Sequence, residues 1–244
     1  MSQKKERERG ILRKEGLEAY KSVFDDSTER GLFRLISQGV ISKLVGPIKI
    51  GKESNVFLAE SSFGKRVVKI YRVSSNFKKM YEYMAPDQRF AGLKRNKMSV
   101  IYTWAKKEYR NLLKARDAGV LVPTPYAVYK NILVMEYIGD EEGPAPQLNN
   151  SRLADPQESY EMLISNLRKL VHEAKLVHAD LSSFNVLDDG GIPVIIDLSH
   201  AVTLSYPNSA QMLKRDITII CTYYKKRGLK LDSEEEWKKI FAKK

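Results

Sequence analysis

The segment Leu176-Val177-His178-Ala179-Asp180-Leu181-Ser182-Ser183-Phe184-Asn185-Val186-Leu187 holds the residues best suited to chemistry. It has the form H-x-D-L-x-x-x-N at the head of an apolar run, and Ile195-Ile196-Asp197-Leu198-Ser199 follows it. A carboxylate such as Asp180, set beside a nucleophile, accepts or orients its proton. Asn185 and Asp197 offer hard oxygen donors, which hold magnesium against phosphates; few protein ligands suffice because that cation keeps waters. Phosphoryl transfer needs this combination, since it depends on positioning and charge neutralisation more than on covalent help. Singly, each residue has an ordinary explanation. An Asp at a strand end is often a turn residue, His178 suits a packed architectural role, and Ser182 and Ser183 read as loop hydroxyls.

Taken together the two motifs resemble the catalytic loop and metal-binding Asp of the protein-kinase superfamily. Further parts follow that family's order. Lys69, in Val67-Val68-Lys69-Ile70, stands where kinases carry the lysine that holds the phosphates. Glu108 is its expected ion-pair partner on the next helix. Gly51-Lys52-Glu53-Ser54-Asn55-Val56 joins two strands where a phosphate-covering loop belongs, and Met135-Glu136-Tyr137-Ile138 stands where a hinge meets adenine.

The elements that must position these groups follow from periodicity. Apolar residues at 32, 33, 35, 36, 40, 41 and 44 have helical spacing over about 26–44, broken near Gly39, with Asp26 or Ser27 as cap. Pro47–Ile50, Asn55–Ala59 and Arg66–Tyr71 are short, β-branched and separated by turn residues, so they predict three antiparallel strands. Ser74 to Lys97 is polar, basic and weakly periodic, and reads as a flexible insertion at about 74–98. A helix over about 100–118, strands at 127–129 and 132–136, and a Pro/Gly/Asn-rich linker at 139–150 come next. Helices at 157–174, 208–227 and 233–242 surround two short strands and a loop at 177–197. The domains expected are a charged N-terminal segment with helices at 1–44, its first twenty residues frayed, an N-lobe at 45–138 and a C-lobe at 139–244.

The resemblance narrows to the RIO kinases over about residues 25–240. It is carried by Gly51–Phe57, Val67–Tyr71, Thr103–Leu112, Val134–Gly139, Pro144–Leu148, Leu176–Leu187 and Ile195–Ser199, and it is strongest to the first RIO subfamily. The fold it implies is α+β: a two-lobed protein-kinase-like fold, with an antiparallel sheet plus helix in the N-lobe and a truncated, mostly helical C-lobe. Ordinary kinase features are missing. There is no G-x-G-x-x-G, Ala179 replaces the Arg of H-R-D, Leu198-Ser199 replaces F-G, and A-P-E is absent. Residues after Asp197 number 47, against more than about 100 for an activation loop and peptide platform. His200 stands where the family commonly has Gln, and Ser54 where it often has Ala.

What the resemblance implies is an ATP-dependent serine/threonine kinase or ATPase acting in small-ribosomal-subunit maturation. ATP would lie between the lobes with magnesium, or manganese in its place, on Asn185 and Asp197. Asp180 would accept the proton, and Asp197 could itself take the phosphoryl group as an aspartyl-phosphate. Ser74, Ser75 and Ser99 are candidate autophosphorylation sites. Two other readings stay open: a small kinase associated with tRNA modification, and a non-catalytic ATP-binding assembly factor.

Charge points toward a phosphate-rich partner. The net charge is +12; residues 1–120 hold 27 Lys/Arg against 13 Asp/Glu, and residues 121–244 hold 15 against 17. Nine basic residues and one acid lie between Arg89 and Arg116. Precursor ribosomal RNA is the partner this suggests, although no motif of a known nucleic-acid module is present. Neither a secretory signal nor a run of the roughly 18 apolar residues that span a membrane is found. The single cysteine, Cys221, excludes an internal disulfide and fits a reducing, cytoplasmic setting. Nothing fixes an oligomeric state.

Overall fold

The computed structural model describes residues 24–241, so the charged segment expected at the N-terminus falls largely outside the described residues. The chain folds into two compact units. The first holds residues 24–82, 92–109 and 125–137; the second holds 83–91, 110–124 and 138–241. A single cut at 138–139, as the linker suggests, therefore describes only the last crossing of the chain.

The first unit is built on a five-stranded antiparallel sheet of β1 (Lys43–Ile50), β2 (Ser54–Ser61), β3 (Gly64–Tyr71), β4 (Pro125–Tyr129) and β5 (Ile132–Glu136), in the order β1-β2-β3-β5-β4. One face of β2 and β3 presents Phe57, Ala59, Val68 and Ile70 to helix α1 (Asp26–Ser37), whose Leu32, Leu35 and Ile36 close the core. Period-2 alternation sends the other residues of these strands, Val56 and Lys69 among them, to the opposite face. Helix α1 is shorter than its apolar spacing suggests. Leu44 belongs to β1, paired with Ala59, and it enters the same core from a strand. The helix is capped by Asp25, not by Asp26 or Ser27: the Thr28 N–H donates to Asp25 Oδ1 at 2.7 Å, while residues 26 and 27 are already helical.

The stretch expected as a flexible insertion is folded. It forms helix α2 (Phe77–Met84) and a 3-10 turn at Gln88–Phe90 ahead of α3 (Lys97–Asp117). Met80 and Met84, one turn apart, are buried and give α2 an apolar stripe that the surrounding charge obscures in the sequence. Asn96 caps α3 by accepting from the Ser99 N–H.

In the second unit α4 (Pro156–His172), α5 (Ser209–Lys225) and α6 (Ser233–Phe241) bury Leu163, Leu167, Leu213, Ile217, Ile220 and Ile240. Asp155 caps α4 through the N–H groups of Gln157 and Glu158. Two small ribbons complete the unit: β6 (Leu176–Val177) with β9 (Val202–Thr203), and the hairpin of β7 (Val186–Asp189) with β8 (Ile192–Ile195). Residues 198–208 link Asp197 to α5 and contain only β9, which leaves no long activation segment at that point. No helix among the described residues is long and apolar enough to cross a membrane.

Candidate functional site

Lys69 and Glu108 meet in the first unit. Lys69 points from the β3 face opposite α1, and its Nζ lies 2.9 Å from Glu108 Oε1 with side-chain exposures of 6% and 0%. Tyr71, two residues on and so on the same face, donates its hydroxyl to Glu108 Oε2. One carboxylate thus fixes the lysine and a phenol together. An ion pair this buried holds its geometry because neither charge can be left alone without a large desolvation cost.

The loop between β1 and β2 is a tight turn. Gly51 donates its N–H to the Ser54 carbonyl at 3.0 Å, and a Cβ on Gly51 would sit 2.8 Å from that oxygen. The Glu53 carbonyl accepts from the Arg72 N–H and the Ser75 hydroxyl, and Arg72 also reaches the Gly51 carbonyl. Lys52 and Glu53 are exposed at the tip, and Ser54 is half-buried. Val56 pairs with Lys69 across β2 and β3. Asn55 faces the other way: it is 3% exposed on the α1 side of the sheet, with its Oδ1 lacking a hydrogen-bond partner. Met135 and Glu136 end β5 opposite Val67 and Arg66. In the second unit, the Ile138 carbonyl accepts from the Ala145 N–H.

A hairpin register assembles the second unit's groups. Gly190 and Gly191 take positive φ in a two-residue turn of the kind that matches strand twist, and they fix Val186 opposite Ile195. Asn185, just before β7, is thereby set beside Ile196 and Asp197, just after β8; the Ile196 N–H donates to the Asn185 carbonyl at 3.0 Å. Asn185 Nδ2 donates to the Asp180 carbonyl at 2.8 Å, and Asp180 Oδ2 lies 3.4 Å away. Asp180 itself is exposed.

His178 ties the two motifs together. Its Nδ1 accepts from the Asp180 N–H at 3.3 Å, so its Nε2 is the donor to the Ile196 carbonyl at 3.0 Å. Ala179 and Asp197 both adopt the left-handed region, φ 65° and 60°, which non-glycine residues enter only when their surroundings hold them there. For Ala179 the holder is Asp216 on α5. Its carboxylate accepts from the Ala179 N–H at 2.7 Å and the Leu181 N–H at 3.2 Å, bracketing Asp180, and Arg215 donates to the Ala179 carbonyl. Burial pushes the Asp216 carboxyl up, against the pull of His178, Arg215 and the Ala179 amide. For Asp197 the holder is Ser199, whose hydroxyl donates to Asp197 Oδ1 at 2.7 Å.

Sequence reasoning overlooked Tyr71 and Asp216. Both left a signal: a tyrosine two residues from the lysine on one strand, and a carboxylate among the buried positions of a helix that also buries Leu213, Ile217 and Ile220. Among the serines, Ser74 is exposed, Ser99 half-buried and Ser75 buried with its hydroxyl on Glu53. Lys107 is only 1% exposed, so one of the nine basic residues in 89–116 adds nothing to the surface charge.

No group of three or more His, Cys, Asp or Glu gathers into a metal cage among the described residues. Asn185 and Asp197 form a partial, all-oxygen set that phosphates and waters would complete. That donor chemistry fits magnesium, or manganese in its place.

A strand lysine paired to a helix glutamate, with an Asp, Asn and second Asp arranged around a short hairpin, defines the protein-kinase class of fold. A family model described as RIO domain matches residues 55–237. The chain is 40% identical over 215 residues to the RIO-type serine/threonine-protein kinase Rio1 of Haloferax volcanii, covering 87% of this chain and 74% of that one. It is 33% identical over 239 residues to Rio1 of Methanocaldococcus jannaschii, covering 98% and 81%. Human serine/threonine-protein kinase RIO1 is 35% identical over 213 residues, which span 38% of its length. In fold it is similar to the Rio2 kinase of Chaetomium thermophilum in an ADP/Mg2+-phosphoaspartate complex, with a TM-score of 0.64 at 22% identity, over 85% of this chain and 64% of that one. The chain belongs to the RIO family, the RIO-type serine/threonine-protein kinases.

Proposed function

We propose that the protein binds Mg-ATP and transfers its γ-phosphoryl group to serine or threonine hydroxyls, and that it works on the small ribosomal subunit precursor in the cytoplasm. The observation that carries the catalytic reading is the convergence of Asp180, Asn185 and Asp197 around the β7–β8 hairpin. Lys69, kept in place by Glu108, holds the inner phosphates, and the turn at 51–54 covers them. Adenine meets the backbone near Met135–Ile138. Magnesium on Asn185 and Asp197 would supply neutralisation of the phosphate charge. Asp180 takes the proton from the acceptor hydroxyl as the new P–O bond forms and ADP departs. Of the three candidate acceptors within the chain, exposed Ser74 is the best presented.

A second reading concerns the acceptor. The Rio2 neighbour is a phosphoaspartate complex, and Asp197, half-buried at positive φ and gripped by Ser199, is a carboxylate to which the same transfer could be made here. Hydrolysis of that acyl phosphate would return Asp197 and release phosphate, making an ATPase switch. The ribosomal assignment rests on family resemblance and on the basic surface of residues 89–116.

The test is to incubate the pure chain with γ-labelled ATP and magnesium alone, and to follow free phosphate and protein-bound label. Hydroxylamine-labile label with continuing phosphate release supports transfer to Asp197; stable label on serine supports the kinase. Asp180→Ala should retain ATP binding and lose turnover in either case. Nucleotide binding with neither product would leave a non-catalytic assembly factor.

A further inference from the structure

The loop that follows Asp197 is not held by its own bonds alone. Its carbonyl groups also accept from the side chains of Tyr83, Arg89 and Asn111, which belong with it to the second unit. Tyr83, at the end of α2, donates its hydroxyl to the His200 carbonyl at 2.7 Å and sets its ring edge-to-face against the His200 ring, centroids 5.3 Å apart. Asn111, fully buried on α3, donates through Nδ2 to the Leu198 carbonyl at 2.9 Å and the Ala201 carbonyl at 3.1 Å. Arg89 orients that amide, giving Nη1 to Asn111 Oδ1 at 2.8 Å while its other nitrogens grip buried Asp87. Tyr206, just past the loop, donates to the Tyr83 carbonyl at 2.8 Å and closes the circuit.

We propose that Tyr83, Arg89 and Asn111 are positioning residues that set the loop 197–201, and through it the affinity of Asp197 for its divalent cation. Asp197 sits at φ 60°, a conformation a non-glycine residue keeps only when the chain around it is over-determined. Ser199 grips its carboxylate from within the loop, and the strap fixes the backbone on which Ser199 stands. Asn111 is well suited to this because one amide group satisfies two carbonyls and leaves its own oxygen for Arg89. Tyr83 is a dependable donor, since burial and the neighbouring Tyr206 and Asp216 keep its phenol protonated well above the ordinary tyrosine range. The segment read from the sequence as a flexible insertion is thus a structural part of the metal site. The inference rests on the reading of Asp197 as a metal ligand.

The test uses the full chain with Tyr83→Phe, which removes one hydroxyl and keeps the ring, and Asn111→Leu, which keeps the volume and removes both donated bonds. Mn2+ binding in the presence of a non-hydrolysable ATP analogue is read by electron paramagnetic resonance, beside analogue affinity without metal and the thermal midpoint. Tyr83→Phe should weaken Mn2+ by about fivefold, the factor a single hydrogen bond is worth. Asn111→Leu should weaken it further, and metal-free nucleotide affinity should be unchanged in both. A lower thermal midpoint with unchanged Mn2+ affinity would overturn the inference, because a merely structural strap would behave that way. If Asn111→Leu does not fold, Tyr83→Phe alone decides. Wild type that holds Mn2+ more tightly than the variants yet never turns over ATP defeats the functional reading and leaves this one standing. Turnover with equal Mn2+ affinity in all folded forms defeats this one alone, and wild type that binds no Mn2+ defeats both.

Discussion

Lys69 and Glu108 are charges that the interior tolerates only as a pair. Truncating one strands the other in a place where water cannot follow, so Glu108→Gln should cost about 3–5 kcal/mol of stability, well above the cost of a typical point change. Urea unfolding at neutral pH measures this. A loss below about 1 kcal/mol would mean that Tyr71 and Lys69 find other partners. Asp216 poses the opposite problem, a carboxyl whose charged form is disfavoured by burial. Its folded pKa lies above the unfolded 3.8, so the native state binds the extra proton. Its contribution to stability is therefore greatest below pH 3.8 and falls as pH rises through the raised folded value. Asp216→Asn removes this titration. The stability of wild type minus that of the variant should fall across that window and level off above it. A difference independent of pH would show that Asp216 titrates alike in both states.

Among the elements, turns and hairpins carry more of the site than helices do. The β1–β2 turn works only if Gly51 stays bare, because a Cβ would press on the Ser54 carbonyl at 2.8 Å. That oxygen already accepts the Gly51 N–H, so neither group can retreat without opening the turn. Gly51→Ala should therefore raise KM for ATP roughly tenfold, the equivalent of about 1.4 kcal/mol, with a smaller effect on kcat. An unchanged KM would remove this turn from the phosphate site. The β7–β8 hairpin has a parallel duty. Its register places Asn185 next to Asp197, and a one-residue slip would send alternate side chains to the opposite face.

For the whole molecule, the charge asymmetry is the property that reaches beyond the active site. Lys94, Arg95 and Lys97 are exposed between α2 and the first turn of α3, and Arg95 leans over the Tyr81 ring. They are free of the metal-loop strap that engages Arg89. Under the proposed ribosomal role, replacing all three by glutamate should weaken binding to small-subunit RNA and flatten its log–log dependence on salt by roughly three, if each meets one phosphate. Titrations at several salt concentrations would show this. A parallel line in the variant would take these residues out of the interface, while autophosphorylation should be unaffected in either case.

The sequence by itself determined which groups are the candidates for the chemistry. Asp180, Asn185, Asp197 and Lys69 stand in motifs short enough to read, and the strand and helix carrying Lys69 and Glu108 follow from local periodicity. The Gly190-Gly191 turn lies in a stretch that read only as a loop between two short strands, and its hairpin emerged with the structure. Other features depended on contacts between segments far apart in the chain. Leu44 reaches the core from a strand, and Asn55 faces away from Lys69 despite its place in the motif. Asp216 braces a loop some 36 residues earlier, and Tyr83, Arg89 and Asn111 brace one about 90 to 117 residues later. A helix pattern can flag such a residue as buried and polar, but its partner is whichever unsatisfied backbone group the tertiary fold brings to it. The insertion at 74–98 shows the division most directly. Its charge made it look mobile, and only the burial of Met80 and Met84 and the bonds to the metal loop reveal it as folded structure.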